Sequence, residues 1–237
     1  MQSPMWAPGL HRSHPLANGL VGLWPMWDGD GDKVMDLAGG NTGTLTNMDP
    51  ATDWVATEKG WALDYAGDDD YVTTGKTAVS GQTLMCEAGN AFTVSVSALV
   101  RTDGSIIGKG EATAGNRVFQ IWKDSDLSDA NPSILLRGDT TRLNLILPDI
   151  WYFHTITWDG TTANYYLDGH FETALNVGAA PDDPAQDIVF GARTNGTGYL
   201  LDGQIGRIFI YNRVLTPNEI QQLYVEPDIL TRYKRLV

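Results

Sequence analysis

The chain has 237 residues, of which 16 are lysine or arginine and 29 are aspartate or glutamate, so its formal net charge is −13 at pH 7. This length and a hydrophobic content of 42% are sufficient for one sizeable core and exclude a disordered chain. The negative charge repels phosphate backbones and anionic lipid headgroups, so we expect no nucleic-acid binding. No apolar run approaches the roughly 18 residues that a membrane helix needs, so we expect no membrane insertion. Cys86 is the only cysteine, which excludes an internal disulfide and a multi-cysteine zinc site.

The chain divides by composition into an N-terminal arm (residues 1–18), a domain (19–225) and a C-terminal tail (226–237). The first eight residues contain neither a basic region nor an apolar run, so we expect no secretory signal peptide. Both tails are expected to fray or to dock onto a neighbouring subunit. Deleting residues 229–237 is expected to abolish particle incorporation or oligomerisation and to leave the monomer folded.

Asp-Gly turns separate short segments rich in valine, isoleucine, threonine and aromatic residues, a pattern typical of antiparallel sheets. The clearest strand is Phe92–Val100, in which apolar and polar residues alternate with a period of two. A hairpin is predicted from Trp151–Trp158 and Tyr165–Leu167. Further strands are predicted at Leu20–Trp24, Ala62–Tyr65, Ser105–Ile107, Val118–Trp122, Ile134–Arg137, Arg142–Leu147, Ile188–Gly191 and Gln204–Tyr211.

One helix is predicted near the C-terminus. Thr216 is an N-cap, Pro217 follows at the first helical position, and Glu219 completes a capping box. Ile220, Leu223 and Tyr224 then fall on one face. The sequence therefore predicts a β domain that is closed by a short helix.

Six segments of the chain, in order, carry a resemblance to a known family: Gly19–Trp24, Asp36–Gly43, Ala62–Val72, Trp158–Gly160, Tyr166–Gly169 and Gly203–Leu215. Together they resemble the laminin-G-like, concanavalin A-like jelly-roll family. The resemblance implies an all-β fold, a two-sheet antiparallel jelly-roll sandwich with one short C-terminal helix, and it implies no single function. The closing segment, the helix followed by Tyr224-x-Glu226-Pro227, resembles the phage and metagenomic-virus branch of the family.

Catalytic groups are not apparent in the sequence. Glycosidases with this fold resemble one another in a strand that bears two carboxylates, one acting as nucleophile and one as acid. No glutamate of this chain has a second acidic residue two positions away except Glu226, which has Asp228 in the tail. No serine lies in a nucleophile elbow, and His154 is expected to be a core residue of a strand. We therefore expect a protein that is not an enzyme, with a glycan-degrading enzyme as the less favoured interpretation.

Calcium is the cofactor that the resemblance brings into question. In this family an aspartate and carbonyl groups of the loop here formed by Asp36 to Gly43 often hold the ion, together with an aspartate at the position here occupied by Gly206. That second carboxylate is missing, and the cation Arg207 follows it, which weakens a site for a hard cation. Asp36 and Asn41 are the remaining candidate ligands, and the other interpretation is that Asp36 caps a turn.

Carbohydrate binding without catalysis requires exposed aromatic faces and planar polar side chains. Most tryptophans fall within strand patterns, but Trp54 and Trp61 flank a segment that we expect to be a loop. Asn116, Arg117 and Asn195 lie in two further predicted loops. These five residues are the candidate sugar-binding residues.

Two functions from different classes are compatible with these observations. One is a virion surface protein (a capsid decoration, fibre or accessory protein), folded in the host cytoplasm, that contacts neighbouring virion proteins and also binds carbohydrate. The other is a free-standing lectin-like protein. A homo-oligomer is compatible with both, and order of the tails against a neighbouring subunit would favour the first.

Overall fold

Strands dominate the chain because segments rich in β-branched and aromatic residues alternate with glycine-containing turns. The computed structural model describes residues 6–74, 90–110, 117–123, 132–136, 139–143, 146–178, 187–193 and 198–235. The strands are β1 (Trp6–Leu10), β2 (Leu20–Trp24), β3 (Lys33–Val34), β4 (Gly43–Thr46), β5 (Trp54–Thr57), β6 (Gly60–Ala66), β7 (Tyr71–Thr73), β8 (Phe92–Val100), β9 (Gly104–Gly110), β10 (Arg117–Lys123), β11 (Pro132–Leu136), β12 (Asp139–Arg142), β13 (Trp151–Trp158), β14 (Ala163–Leu167), β15 (His170–Ala174), β16 (Ile188–Phe190), β17 (Asp202–Tyr211) and β18 (Thr231–Arg235). A 3₁₀ turn (Pro15–Ala17) and the helix α1 (Pro217–Val225) complete the elements of the described residues.

The strands form two antiparallel sheets of eight strands each. One sheet has the order β12-β11-β10-β9-β16-β7-β4-β3, and the other has the order β15-β14-β13-β8-β17-β6-β5, with β2 also paired to β17. The expected all-β sandwich is confirmed. No helix among the described residues is both long enough and apolar enough to cross a membrane.

The apolar side chains of the described residues form two separate clusters. The larger cluster fills the space between the sheets, where the alternating residues Phe92, Val94 and Val96 of β8 point. The second, which we call the helix-side cluster, covers the outer face of the β13 sheet; its members are Leu16, Leu23, Phe153, Tyr166, Phe209, Tyr211, Leu215, Ile220, Leu223 and Leu230. The β13 sheet is therefore apolar on both faces, one against the other sheet and one against α1.

The predicted helix is confirmed. The Thr216 hydroxyl accepts a hydrogen bond from the Glu219 N–H, and the Glu219 carboxylate accepts one from the Thr216 N–H, which is a capping box. Arg213 donates to both carboxylate oxygens of Glu219, at 2.7 and 3.0 Å, and holds the pKa of Glu219 down to about 2. These bonds fix the start of α1, so its buried residues Ile220 and Leu223 pack onto the sheet.

The tails differ from the expectation of frayed ends. β1 and β18, from opposite ends of the chain, pair with each other as a two-stranded antiparallel ribbon. Leu16 and Leu230 are buried in the helix-side cluster, so both segments pack onto the domain. Deleting residues 229–237 would remove the buried Leu230 from this cluster, and the expectation that the shortened chain still folds stays a prediction.

Two local predictions are also corrected. The predicted strand Arg142–Leu147 is not found among the described residues: β12 ends at Arg142, and residues 143, 146 and 147 are irregular, while residues 144 and 145 lie outside the described part of the chain. The segment that we expected to be a loop around Trp54 and Trp61 is a hairpin of β5 and β6. The short sequence of β5 does not by itself identify a strand, and β5 is a strand because it pairs with β6.

Candidate functional site

The Asp36 carboxylate organises the loop that follows β3. Its Oδ1 accepts hydrogen bonds from the backbone N–H groups of Leu23, Ala38 and Gly39, and its Oδ2 accepts from the N–H groups of Gly39 and Asn41. The Asn41 side-chain amide donates a further bond to Oδ2 at 2.9 Å. A carboxylate offers about four lone-pair positions, so these six contacts use all of them.

The Asp36 loop does not fit a calcium ion. Calcium takes 6–8 oxygen ligands, and the Asp36 oxygens are already occupied. The Asn41 carbonyl accepts the Trp24 indole N–H at 2.9 Å, and among the described side chains of this loop Asn41 Oδ1 is a buried oxygen without a partner. Gly206 supplies no second carboxylate. The interpretation of Asp36 as a turn cap describes these hydrogen bonds, and the metal-ligand role of Asp36 and Asn41 stays a prediction that this geometry disfavours.

A second group of carboxylates lies in the turn between β6 and β7. Oxygens of Asp68, Asp69 and Asp70 lie within 4.8 Å of one another. Asp70 is buried and accepts the Ala66 N–H at 3.0 Å, while Asp68 and Asp69 are exposed. The hydrogen bond within the turn accounts for the buried member of the group.

The predicted sugar-binding residues have different outcomes. Trp54 is only 6% exposed, and its indole N–H donates to the Gly31 carbonyl at 2.9 Å, so the expectation of exposure is wrong. Trp61 is 42% exposed, and Gly29 lies against its ring. Asn116 and Asn195 lie outside the described residues, and for Arg117 only the backbone, in β10, is described.

A different cluster of aromatic and polar residues forms a cleft on the outer face of the β13 sheet, beside the end of α1. We call it the helix-side cleft. Its volume is about 80 Å³, and its lining residues are Lys59, Ser97, Trp151, Tyr152, Phe153, Asp168, Arg207, Phe209, Leu223, Tyr224 and Pro227. None of the five candidate sugar-binding residues is among these described lining residues.

The register of β13 determines which of its aromatic side chains line the cleft. In β13, Ile156 belongs to the cluster between the sheets and Phe153 to the helix-side cluster, so Trp151, two residues before Phe153, also faces outward. The Tyr224 ring lies with its centroid 6.2 Å from that of Phe153, and Tyr224 is 39% exposed. Tyr224 therefore extends the aromatic surface of the strand to the last turn of α1.

A β-bulge in β17 forms the opposite wall. Ile205 pairs with Ala98 and Ile208 pairs with Val96, so Gly206 and Arg207 together oppose the single residue Ser97. The absence of a side chain at Gly206 keeps the space beside Trp151 open, because an added Cβ would lie 3.4 Å from Trp151 Cζ3.

Arg207 is held by two elements at the edge of the cleft. Its guanidinium donates to the Lys59 carbonyl at 3.2 Å and forms an ion pair with Asp228 at 2.7 Å. Its Nε is buried without a hydrogen-bond partner. Arg207 thus joins β17 to the β5–β6 hairpin and to the segment that leads into β18.

Asp168 is the one acidic residue among the described residues that line the cleft. Its Oδ1 accepts the Phe153 N–H at 2.8 Å, and its Oδ2 accepts no hydrogen bond from a described residue. Burial raises the pKa of the Asp168 carboxyl, although the Phe153 N–H and the charge of Lys59 lower it. The charge of Asp168 in turn raises the pKa of Tyr224. The carboxylate lines the same cleft as Lys59 and Tyr224, and one of its oxygens accepts no hydrogen bond from a described residue.

Further polar groups of the cleft can form hydrogen bonds with a ligand. Among the described residues, the Ser97 hydroxyl, the Trp151 indole N–H and the Lys59 ammonium make no hydrogen bond or ion pair with the protein. A ligand that combines an apolar face with hydroxyl groups could use the rings and these donors together.

One signal in the sequence could have revealed this cleft. Ile205 and Ile208 are both core residues but lie three positions apart in a strand of period two, which requires an extra residue and hence a bulge. The role of Tyr224 could not be recognised in this way, because the helical periodicity groups it with the buried residues Ile220 and Leu223.

Comparison with known proteins places these features in a family. The family model described as the concanavalin A-like lectin/glucanases superfamily matches residues 66–221. No curated protein matches the chain in sequence.

Solved structures with the same fold are numerous. The sialidase of Trypanosoma rangeli, in complex with a difluoro-nononic acid, aligns over 90% of this chain with a TM-score of 0.65 and 18% identity, and the chain spans 33% of the sialidase. Domain 4 of the arabinanase AbnA from Geobacillus stearothermophilus, in complex with arabinotriose, aligns over 86% of this chain and 98% of its own length, with a TM-score of 0.62 and 16% identity. The binding domain of botulinum neurotoxin serotype D aligns over 90% of this chain and 52% of its own, with a TM-score of 0.61 and 15% identity.

These similarities establish the fold that the sequence motifs imply. Because the family match covers more than half of the chain and agrees with the two-sheet architecture, the chain belongs to the concanavalin A-like lectin/glucanase superfamily.

Proposed function

We propose that the protein is a non-catalytic carbohydrate-binding module and that the helix-side cleft is its sugar site. The observation that supports this proposal most strongly is the composition of the cleft. Trp151 and Tyr224 provide aromatic surface next to the carboxylate of Asp168, one of whose oxygens accepts no hydrogen bond from a described residue.

The chemistry of a sugar fits these groups. A pyranose ring presents a face of C–H groups that packs on an aromatic ring, while its hydroxyl groups donate and accept hydrogen bonds. Asp168 can accept from a hydroxyl, and Ser97 and Lys59 can donate to one. The arabinotriose complex of the AbnA domain supports the proposal, because that domain has the same fold over nearly its whole length.

Binding without reaction also belongs to the proposal. Glycoside hydrolysis normally needs two carboxyl groups about 5–9.5 Å apart. Asp168 is the carboxylate among the described lining residues, and the groups around it are hydroxyl, indole, ammonium and guanidinium. Such a set is suited to holding a sugar by hydrogen bonds and stacking.

A glycan array on the full-length chain tests this function. We expect saturable binding that is abolished by Ser97→Phe, because the larger side chain fills the cleft while the β-propensity of the strand is kept. Trp61→Ala, which removes an exposed tryptophan that is not among the described lining residues, is the matched control and should bind like the wild type. Binding that is lost in Trp61→Ala and retained in Ser97→Phe would assign the sugar site elsewhere and overturn the proposal.

We propose in addition that the module works at the surface of a phage-type virus particle, with the free-standing lectin as the alternative. The ribbon of β1 and β18 supports attachment to a neighbouring protein, since it is separate from both sheets and its strands pair only with each other among the described residues. Its C-terminal strand, with the sequence TRYKR, is basic in a chain of net charge −13. A basic strand is suited to a contact with an acidic neighbour.

Removing residues 232–237 tests the attachment without removing Leu230 from the helix-side cluster. We expect the shortened chain to fold, as judged by circular dichroism, and to be absent from purified particles that incorporate the full-length chain. Equal incorporation of both chains would contradict the proposed attachment.

A further inference from the structure

The charges of the helix-side cleft bear on which sugars it can accept. Asp168 and Lys59 both line the cleft, and the positive charge of Lys59 acts on the Asp168 carboxylate. The other lining cation, Arg207, is already paired with Asp228 at 2.7 Å. Among the described lining residues, Lys59 is therefore the cation that could pair with an anionic ligand, and the negative charge of Asp168 in the same cleft opposes that pairing.

The hydrogen bonding of Asp168 favours ligands that present hydroxyl groups to it. Its Oδ1 is fixed by the Phe153 N–H, and its Oδ2 accepts no hydrogen bond from a described residue. A carboxylate in this position accepts from hydroxyl groups, and such charge-assisted hydrogen bonds are about twice as strong as neutral ones. A second carboxylate, on a uronic or sialic acid, could not donate to it and would be repelled.

The net charge of the chain acts in the same direction. At −13, the chain repels polyanionic glycans over distances of about a Debye length, roughly 8 Å at physiological salt. Polyanions would therefore be disfavoured by the protein as a whole and again by the cleft itself.

The dimensions of the cleft limit how much of a glycan it can hold. Its volume of about 80 Å³ is small beside the roughly 300–1,000 Å³ typical of pockets for drug-sized ligands. A site of this size holds part of one ring, with the rest of the chain in solvent. Recognition is therefore set by the single sugar unit that meets Asp168.

From these observations we infer that the helix-side cleft is specific for an uncharged sugar unit, whose hydroxyl groups bond to Asp168 Oδ2, and that it discriminates against the same unit bearing a carboxylate. The inference rests on the proposed function of the cleft. It adds the class of ligand and names Asp168 as the group that determines specificity.

Paired glycans on an array provide the test. The pairs share one core and differ only in the terminal ring, glucose against glucuronic acid and galactose against galacturonic acid, and the affinity of each bound pair is then measured by biolayer interferometry. We expect the wild-type chain to bind the neutral member of a pair at least about tenfold more tightly than the acidic member, which corresponds to about 1.4 kcal/mol.

Two isosteric variants distinguish the effect of the cleft from the effect of the net negative charge of the protein. Asp168 has a positive φ of 49°, which asparagine tolerates, and Asp168→Asn keeps an oxygen for the Phe153 N–H. Asp159→Asn changes a second Asp-Gly turn that is not part of the described cleft lining, and it alters the net charge by the same amount. We expect Asp168→Asn to weaken binding of the neutral sugar and to bring the neutral-to-acidic ratio towards one, whereas Asp159→Asn should leave the ratio unchanged.

Each other outcome has a defined meaning. Equal or tighter binding of the acidic members overturns the inference, and so does an equal effect of the two variants, because the field of the whole chain would then explain the ratio. If neither member of any pair binds, or if Ser97→Phe binds like the wild type, the proposed function itself fails.

Discussion

Asp36 and Asp168 are both aspartates in turns beside a strand, yet their surroundings differ completely. Asp36 is 8% exposed and receives six hydrogen-bond contacts from the loop around it. Asp168 receives one, from the Phe153 N–H, and its second oxygen accepts none from a described residue. Asp36, which the family resemblance marks as a metal ligand, has both oxygens hydrogen-bonded to its own loop. Asp168, which the sequence analysis did not propose as a site residue, has an oxygen that can still accept a hydrogen bond from a ligand.

Tryptophans show the same contrast. The indole N–H groups of Trp24 and Trp54 donate to the carbonyls of Asn41 and Gly31, and both rings are buried. Trp151 is half-buried at the cleft, and its N–H bonds to no described residue. A polar atom whose bonds are already made stabilises the fold, and one left without a partner at a surface cleft can bind something else.

The largest expected effect is on the Asp36 side of this comparison. Asp36→Ala removes the acceptor of several buried N–H groups, so we expect the free energy of unfolding to fall by about 3–5 kcal/mol, or the chain not to fold. Urea unfolding of the variant and the wild type measures this difference. A loss below about 1 kcal/mol would show that the loop does not depend on the carboxylate.

The buried His154 allows a second test of the interior, through the dependence of stability on pH. It is fully buried, its Nδ1 lies 2.8 Å from the Tyr165 hydroxyl, and burial lowers its pKa to about 4. In the unfolded chain its pKa is near 6.5, so between pH 6.5 and 4 the unfolded state takes up a proton that the folded state does not. Stability should therefore fall with decreasing pH in this window, by up to about 1.4 kcal/mol per pH unit.

The variant His154→Gln isolates this contribution. Glutamine does not titrate and can still bond to the Tyr165 hydroxyl, so the fall in stability between pH 6.5 and 4 should be less steep than in the wild type. Urea unfolding at half-unit pH intervals measures both slopes. Equal slopes would mean that His154 takes up its proton while the protein stays folded.

On the cleft side, Trp151→Ala should lower glycan affinity by about 10- to 100-fold, since stacking and apolar contact with a ring contribute about 1–3 kcal/mol. Titration calorimetry with the strongest glycan of the array measures this effect. An unchanged affinity in Trp151→Ala, with Trp61→Ala as the control, would place the sugar away from the strand face of the cleft.

The smallest expected effect is that of chelation. Because the Asp36 oxygens are occupied by N–H groups, EDTA should change the melting temperature by less than about 1 °C and should leave glycan binding intact. Differential scanning calorimetry with EDTA and with millimolar calcium measures this. A melting temperature that falls by several degrees in EDTA and returns with calcium would contradict our description of the loop.

Local patterns were sufficient to predict the elements whose signals are local. The alternation in Phe92–Val100 predicts β8, and the capping box at Thr216 predicts α1, because both patterns fix backbone geometry within a few residues. The pairing of β1 with β18 joins the two ends of the chain and leaves no local signal. Sequence reasoning therefore found the sandwich but not the ribbon.

The site was harder to predict because it depends on contacts between distant segments. Trp54 was expected to be exposed because β5 is too short to be recognised alone, and its pairing with β6 buries the ring. Arg207 was considered only as a cation that disfavours calcium, whereas the bulge in β17 directs it to the cleft. The available oxygen of Asp168 depends on which backbone groups surround it, and no spacing in the sequence specifies that.

The most direct test of the central claim, that the helix-side cleft binds carbohydrate, is an NMR titration of the indole N–H signals. The chain has eight tryptophans, and Trp151→Phe identifies the signal at the cleft. We predict that a glycan selected on the array shifts the Trp151 signal, while the signals of Trp24 and Trp54, whose N–H groups are bonded to carbonyls, stay in place. A glycan that binds and shifts the Trp61 signal while leaving Trp151 unchanged would contradict the account.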